Sequence, residues 1–242
     1  MSEPTEIAAV KPLGDGEVVA LHLDARTDGP TLLAAGSSFV ERVSEDLTCT
    51  PSADTRFLTH LALRTALARL VPEAASQSLL RDARGKPFIK GAQTLDISLA
   101  HSGNFGLLAI SRGGPVGVDV EPCDRAIAFP DTRLAQLLQA AANFPGRRTL
   151  HLDGVNSTAE RAALAAWTLL EAAGKCDGRG VFALMGDTGV LARSGLDGAS
   201  DWPEVARGWS AETWCLEACA IGTVVCPKTA RLISMKPFRS IL

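Results

Sequence analysis

The apolar period of this chain runs from strand to helix, back to strand, to helix again and finally to strand. Glu17 to Leu23 (EVVALHL) has the near-continuous apolar character of a strand. From Asp54 to Leu70 apolar residues recur at helical spacing behind a capping aspartate. Three short strand-like segments follow at Thr94 to Leu99, Gly106 to Ser111 and Pro115 to Val120, with Gly113-Gly114 as a hairpin signal between the last two. Arg133 to Ala142 reads as a helix bounded by Pro130 and Pro145-Gly146. The Ser157-x-x-Glu160 capping box opens a long helix ending near Gly174 or Gly178. Beyond it, Val181 to Met185, Gly189 to Ala192 and Thr213 to Ile221 read as strands. This order predicts an α+β protein of two pseudo-symmetric lobes, each a small antiparallel sheet packed with a long helix. The expected boundaries are a flexible N-terminus at 1–16, an N-terminal lobe at 17–118 and a C-terminal lobe at 119–242.

With 46% apolar and 21% charged residues the chain is expected to fold, and 242 residues suffice for two lobes of about 100 each. A net charge of −3 offers no general attraction to nucleic acid or anionic lipid, so an anionic ligand needs a local basic cluster. No run approaches the roughly 18 apolar residues of a membrane span, and Met1 to Lys11 lacks the apolar core of a signal segment, which predicts a cytoplasmic protein. Six cysteines without a CxxC pair predict buried free thiols rather than a zinc site or a disulfide framework. No Walker pattern is present, because Pro87 follows Gly85-Lys86.

Four short segments carry chemistry. In Val116-Gly117-Val118-Asp119-Val120-Glu121 the period of two puts the valines on one face and both carboxylates on the other, where a hard cation such as Mg²⁺ would relieve their repulsion. Read alone, such a strand more often carries two solvated acids. Trp167, Glu171 and Lys175 share one face of the long helix, either as an ordinary surface ion pair or as a metal ligand beside a counter-charge for phosphate. His101-Ser102-Gly103 is expected in a loop after the strand ending at Leu99, leaving room for a ligand. Arg84-Gly85-Lys86-Pro87 is a turn with two cations. On the first helix Arg56, His60 and Arg64 form a basic stripe.

Taken in order, Gly85-Lys86-Pro87, Ala100-His101-Ser102, Gly117-Val118-Asp119-Val120-Glu121 and Trp167 to Lys175 (WTLLEAAGK) resemble the signatures of the 4′-phosphopantetheinyl transferase superfamily. The likeness is to its pseudodimeric, surfactin-synthetase-activating type, and it spans about Asp54 to Lys175. It implies transfer of phosphopantetheine from coenzyme A to a serine of an acyl or peptidyl carrier protein, by a monomer. Asp119, Glu121 and Glu171 would hold Mg²⁺, while His101 and Lys175 would meet the phosphates and Ser102 would also belong to the coenzyme A site. Gly85, Lys86 and Pro87 would border the adenine and Arg56 would reach the 3′-phosphate. Glu171, Lys175 and His101 would be the catalytic residues.

Two positions depart from the pattern. Leu170 stands where the family has a lysine; it could pack inward, but the resemblance favours a pocket-facing side chain. No Asp or Glu lies between Thr132 and Leu152, where a base for the carrier serine is expected, which leaves Lys175, a metal-bound hydroxide or Glu160. The alternative is therefore an impaired relative that binds coenzyme A or a carrier without transfer. A Mg²⁺-dependent phosphohydrolase would use the same carboxylates.

Overall fold

A computed structural model describes residues 11–126, 131–151, 159–181, 202, 204–217 and 219–242. Two four-stranded sheets stack between two groups of helices. The first has the order β10-β1-β5-β4, with β1 Glu17–Asp24, β4 Asp96–Ser102, β5 Phe105–Ser111 and β10 Arg231–Pro237. The second has the order β6-β9-β8-β7, with β6 Gly117–Pro122, β7 Arg147–His151, β8 Trp209–Leu216 and β9 Ala220–Pro227. Both are mixed: β1 is parallel to β10 and β7 to β8, and the other pairs are antiparallel. The C-terminal strand β10, placed by sequence in the C-terminal lobe, thus belongs to the sheet of β1. Upstream of β1, Leu13 is buried and its N–H donates to the carbonyl of Leu70 at 2.8 Å, so packing starts before the strand.

Alternation explains the layers. Val19, Leu21 and Leu23 of β1 face the helices α1 Ala25–Ala35, α2 Val40–Leu47 and α3 Thr55–Leu70, whereas Val18 and Ala20 face the other sheet. Strand β5 is buried on both faces, which is why it reads as a continuous apolar run. Val118 and Val120 of β6 meet Leu107 and Val224 between the sheets. On the far side α4 Asp131–Ala142 and α5 Ala159–Asp177 cover the second sheet through Leu137, Leu169, Trp209 and Val225. No helix among the described residues is long and apolar enough to cross a membrane.

The edges of the two sheets are joined by side chains. Asp96 Oδ2 accepts from Val116 N at 2.7 Å, Ser98 Oγ accepts from Val118 N at 3.0 Å and Ser102 Oγ donates to Glu121 Oε2 at 2.5 Å. The polar residues of β4 thus satisfy an edge of β6 that no strand pairs.

Several expectations change. Asp54 does cap α3, its side chain accepting from Phe57 N at 2.8 Å. Gly113-Gly114 does not make a hairpin: β5 and β6 lie in different sheets, and the hairpin is β4–β5 across Gly103-Asn104. Thr213 to Ile221 is not one strand but the end of β8, a turn with Glu217 at φ 48°, and the start of β9. The polar loop after Pro72 is a ribbon of β2 Leu79–Arg81 and β3 Pro87–Ile89. Only Cys176 and Cys226 are buried; Cys49 and Cys219 are exposed and Cys123 and Cys215 half-buried. Ser157 and the segments Phe182 to Met185 and Gly189 to Ala192 lie outside the described residues.

Candidate functional site

Helix α5 crosses β6 at Gly117. A Cβ there would lie 1.9 Å from the Ala172 carbonyl oxygen and 2.5 Å from Cys176 N, so the glycine is required by backbone approach. This closeness brings Glu171 and Lys175 over the polar face of β6, where Asp119 and Glu121 are 7% and 5% exposed. The two carboxylates are therefore buried under a helix, not solvated.

Lys175 Nζ donates to Asp119 Oδ1 at 2.8 Å and to the Val118 carbonyl at 3.0 Å. Asp119 Oδ2 is buried with no hydrogen-bond partner. Burial pushes the Asp119 carboxyl up to about 7; Lys175 pulls the other way, and Glu171 and Glu121 add to the rise. Glu121 is held by the Ser102 hydroxyl and an ion pair with Arg125. Glu171 is half-buried, and burial raises its carboxyl above the usual range; Lys175 opposes the rise and Glu121 adds to it. Below this layer the hydroxyls of Thr168 on α5 and Thr213 on β8 lie 2.8 and 3.0 Å from Thr223 Oγ1 on β9, directly opposite Asp119.

Two cavities flank the cluster. One, of about 580 Å³, is lined by Arg26, Asp54, Arg56, His101 and Asn104. The other, of about 200 Å³, is lined by Arg81, Arg84, Lys86, Ser98 and Lys175. Gly85 and Pro87 of the turn also line the second cavity, so the turn does meet Lys175. His101 sits between the two groups: burial lowers its imidazole, and the charges of Arg56 and Lys175 lower it further.

The placement corrects four expectations. His101 and Ser102 lie on β4, not in a loop. The stripe on α3 is not one surface: Arg56 reaches the first cavity, but Arg64 is fully buried, its Nη2 2.5 Å from Asp46 Oδ2 and its Nη1 2.6 Å from the Gln77 carbonyl. His60 is 5% exposed, and burial among Arg81, Arg56, His101 and Arg64 holds it down to about 4. Leu170 does not face the pocket: it is fully buried with Leu137, Ala141 and Leu169.

Lys86 is committed within the fold, its ammonium 2.6 Å from Asp96 Oδ2 and 3.3 Å from the Val116 carbonyl. Arg26, Arg125 and Ser102's bond to Glu121 were not foreseen. Only the spacing of Glu121 and Arg125, four residues apart, could have suggested the ion pair. Glu160 lies eleven residues before Glu171, about 16 Å along α5.

Among the described residues no three His, Cys, Asp or Glu side chains are arranged as a metal-binding group, and Lys175 and Arg125 pair with Asp119 and Glu121. The donor set is nevertheless suited to a hard cation: three carboxylates within electrostatic reach of one another, one with a free buried oxygen. A scan against protein-family models finds no match, and a search of curated proteins finds no significant one.

Proposed function

We propose that this protein transfers the 4′-phosphopantetheine moiety of coenzyme A to a serine of an acyl or peptidyl carrier protein, releasing 3′,5′-ADP. The observation that carries the reading is the meeting of Asp119, Glu121, Glu171 and Lys175 between two cavities lined by arginine, lysine and histidine. A ligand with a charged pyrophosphate and a separate 3′-phosphate needs an acidic, metal-holding centre at the first and a cation at the second. Asp119, with its free oxygen, Glu121 and Glu171 would hold Mg²⁺, which supplies charge neutralisation at the pyrophosphate.

The remaining work falls to the chain's own groups. Arg56 and His101 line the cavity suited to the 3′-phosphate, while the Gly85-Lys86-Pro87 turn frames the other, suited to the adenine. Ser102 orients Glu121, and Lys175 stands where it can hold a phosphate oxygen once Asp119 turns to the cation. The carrier serine oxygen attacks the β-phosphorus, and the bond to the ADP oxygen breaks. The length of α5 between Glu160 and Glu171 speaks against Glu160 as the base at this centre. Lys175 lies within it, but as the ammonium that donates to Asp119 it cannot take the serine proton, which leaves to solvent.

The two sheets support a repeat. Three strands of each sheet share an antiparallel order with a long helix inserted after the first, β1-β5-β4 with α3 and β6-β9-β8 with α5, while β10 and β7 add in parallel at opposite ends, beside β1 and β8. Two such lobes in one chain are consistent with a monomer. The second reading, binding without transfer, rests on buried Leu170, which leaves the site without that cation.

The deciding experiment is intact mass spectrometry of several apo carrier proteins after incubation with the protein, coenzyme A and Mg²⁺. One phosphopantetheine added to one serine is expected, and Glu121→Gln and Glu171→Gln should each abolish it with the fold retained. No addition to any carrier, with coenzyme A still bound, would favour the binding-only reading. Coenzyme A turnover without a carrier would favour hydrolysis.

A further inference from the structure

Beyond Glu121 the same face of the second sheet carries sulfur. Glu121 is opposite Ile221 and Ile221 opposite Cys215, and the register continues with Pro122 opposite Ala220. Just past that pair the N–H of Cys123 donates to the Cys219 carbonyl at 2.8 Å, while the N–H of Cys219 turns back to the Leu216 carbonyl at 2.9 Å. Opposite residues share a face, so Cys215 stands on the face that bears Glu121, and Cys123, one residue past β6, packs on that face against Leu164, Ala165 and Ile221, with Cys219 in the turn that leads into β9. Burial raises the Cys123 thiol above its ordinary range, and both Cys215 and Cys219 stand close enough to add to the rise.

Geometry selects among the three sulfurs. Directly opposed residues of an antiparallel pair have Cα atoms about 4.5 to 5.5 Å apart, inside the span of a disulfide. The strands leading to Cys123 and Cys215 are separated by β9, and Cys215 is level with Glu121 rather than with Cys123, so this pair lies beyond the Cα span of a disulfide. Accessibility divides the roles. Cys219 is exposed with the Arg26 guanidinium near it, whereas Cys123 is half-buried against Leu164 and Ala165.

We propose that Cys123 and Cys219 form a reversible disulfide by exchange with a low-molecular-weight disulfide, a modification site at the end of the strand that holds Glu121. The Cys219 sulfur attacks one sulfur of the incoming disulfide, and the first small thiol leaves with the proton Cys219 gave up. The Cys123 sulfur then attacks Cys219 in the mixed disulfide, and the second small thiol leaves with the proton of Cys123. Two protein thiols are oxidised and one external disulfide is reduced to two thiols. The bond ties the end of β6 to the β8–β9 turn and fixes the short segment leading to Arg125, whose guanidinium grips Glu121.

The test needs no activity assay and is independent of the transferase reading. The whole protein is incubated with oxidised glutathione, quenched in acid, alkylated and digested with trypsin, and bonded cysteines are assigned by tandem mass spectrometry within the 208–228 peptide. The expected product joins Cys123 to Cys219, two hydrogens lighter than the separate peptides, with Cys215 alkylated and the link reversed by dithiothreitol. Cys219→Ser should abolish it and Cys49→Ser should not. A product bonded through Cys215 or Cys49, or Cys219 carrying glutathione while Cys123 is alkylated, overturns the proposal. Should Cys219→Ser fail to fold, the map of the unaltered protein decides alone.

Discussion

The Lys175 ammonium holds one oxygen of Asp119 at 2.8 Å while the other oxygen of the same carboxylate has no partner. Removing the cation leaves a carboxyl that burial already pushes up to about 7. Lys175→Met should therefore destabilise the protein by about 1 to 3 kcal/mol at pH 8, where Asp119 must ionise, and by less at pH 6, where it can stay protonated. Asp119→Asn in the same chain should recover most of the loss. Denaturant unfolding of the two single variants and the double variant at both pH values measures the coupling; additive losses would contradict a direct pair.

His60 gives the opposite pH dependence. Its folded value of about 4 lies below the ordinary 6.5, so the unfolded chain binds the extra proton first. Its stabilising contribution is complete above 6.5 and is lost as pH falls toward 4, with a slope of up to about 1.4 kcal/mol per pH unit. His60→Phe should flatten that part of the stability profile. An unchanged slope would show that the imidazole titrates normally.

Gly117 separates two ways in which glycine matters. At Gly91 the φ of 82° disfavours other residues, yet a Cβ would meet nothing within 4 Å. At Gly117 the clash is with the backbone of α5. Gly91→Ala should cost about 1 kcal/mol, whereas Gly117→Ala should cost several times more or prevent folding. Equal melting temperatures for the two variants would refute the close crossing.

Leu170→Lys puts an ammonium among Leu137, Ala141 and Leu169 without a partner. A loss of about 3 to 5 kcal/mol is expected, with no faster transfer. A variant that unfolds at the original denaturant midpoint and is faster would show that the side chain reaches the pocket.

Legibility in the sequence follows what each signal depends on. The period of two on β6 and the i, i+4 spacing of Glu171 and Lys175 are local, and both survive folding unchanged. The capping aspartate of α3 is local too. What escaped is set by the partner surface: the same spacing that put Arg56, His60 and Arg64 in line cannot say that α2 supplies Asp46 to bury Arg64. Likewise, nothing within Asp96 to Ser102 announces that its polar residues face an unpaired strand edge, so His101 and Ser102 read as loop. Gly113-Gly114 carries turn chemistry but no information on which sheet the chain enters next.

The parallel pairing of β10 with β1 has a consequence for synthesis. Glu17 and Arg231 are neighbours in the sheet but 214 residues apart in the chain. At about 5 to 20 residues per second, the partner of β1 leaves the ribosome on the order of 10 to 40 s after β1 itself. Through that interval the first sheet has an open edge, and Phe238, fully buried in the finished protein, cannot cover the helical core. The nascent chain, more than the finished molecule, is the state that a chaperone must shield from pairing with its neighbours.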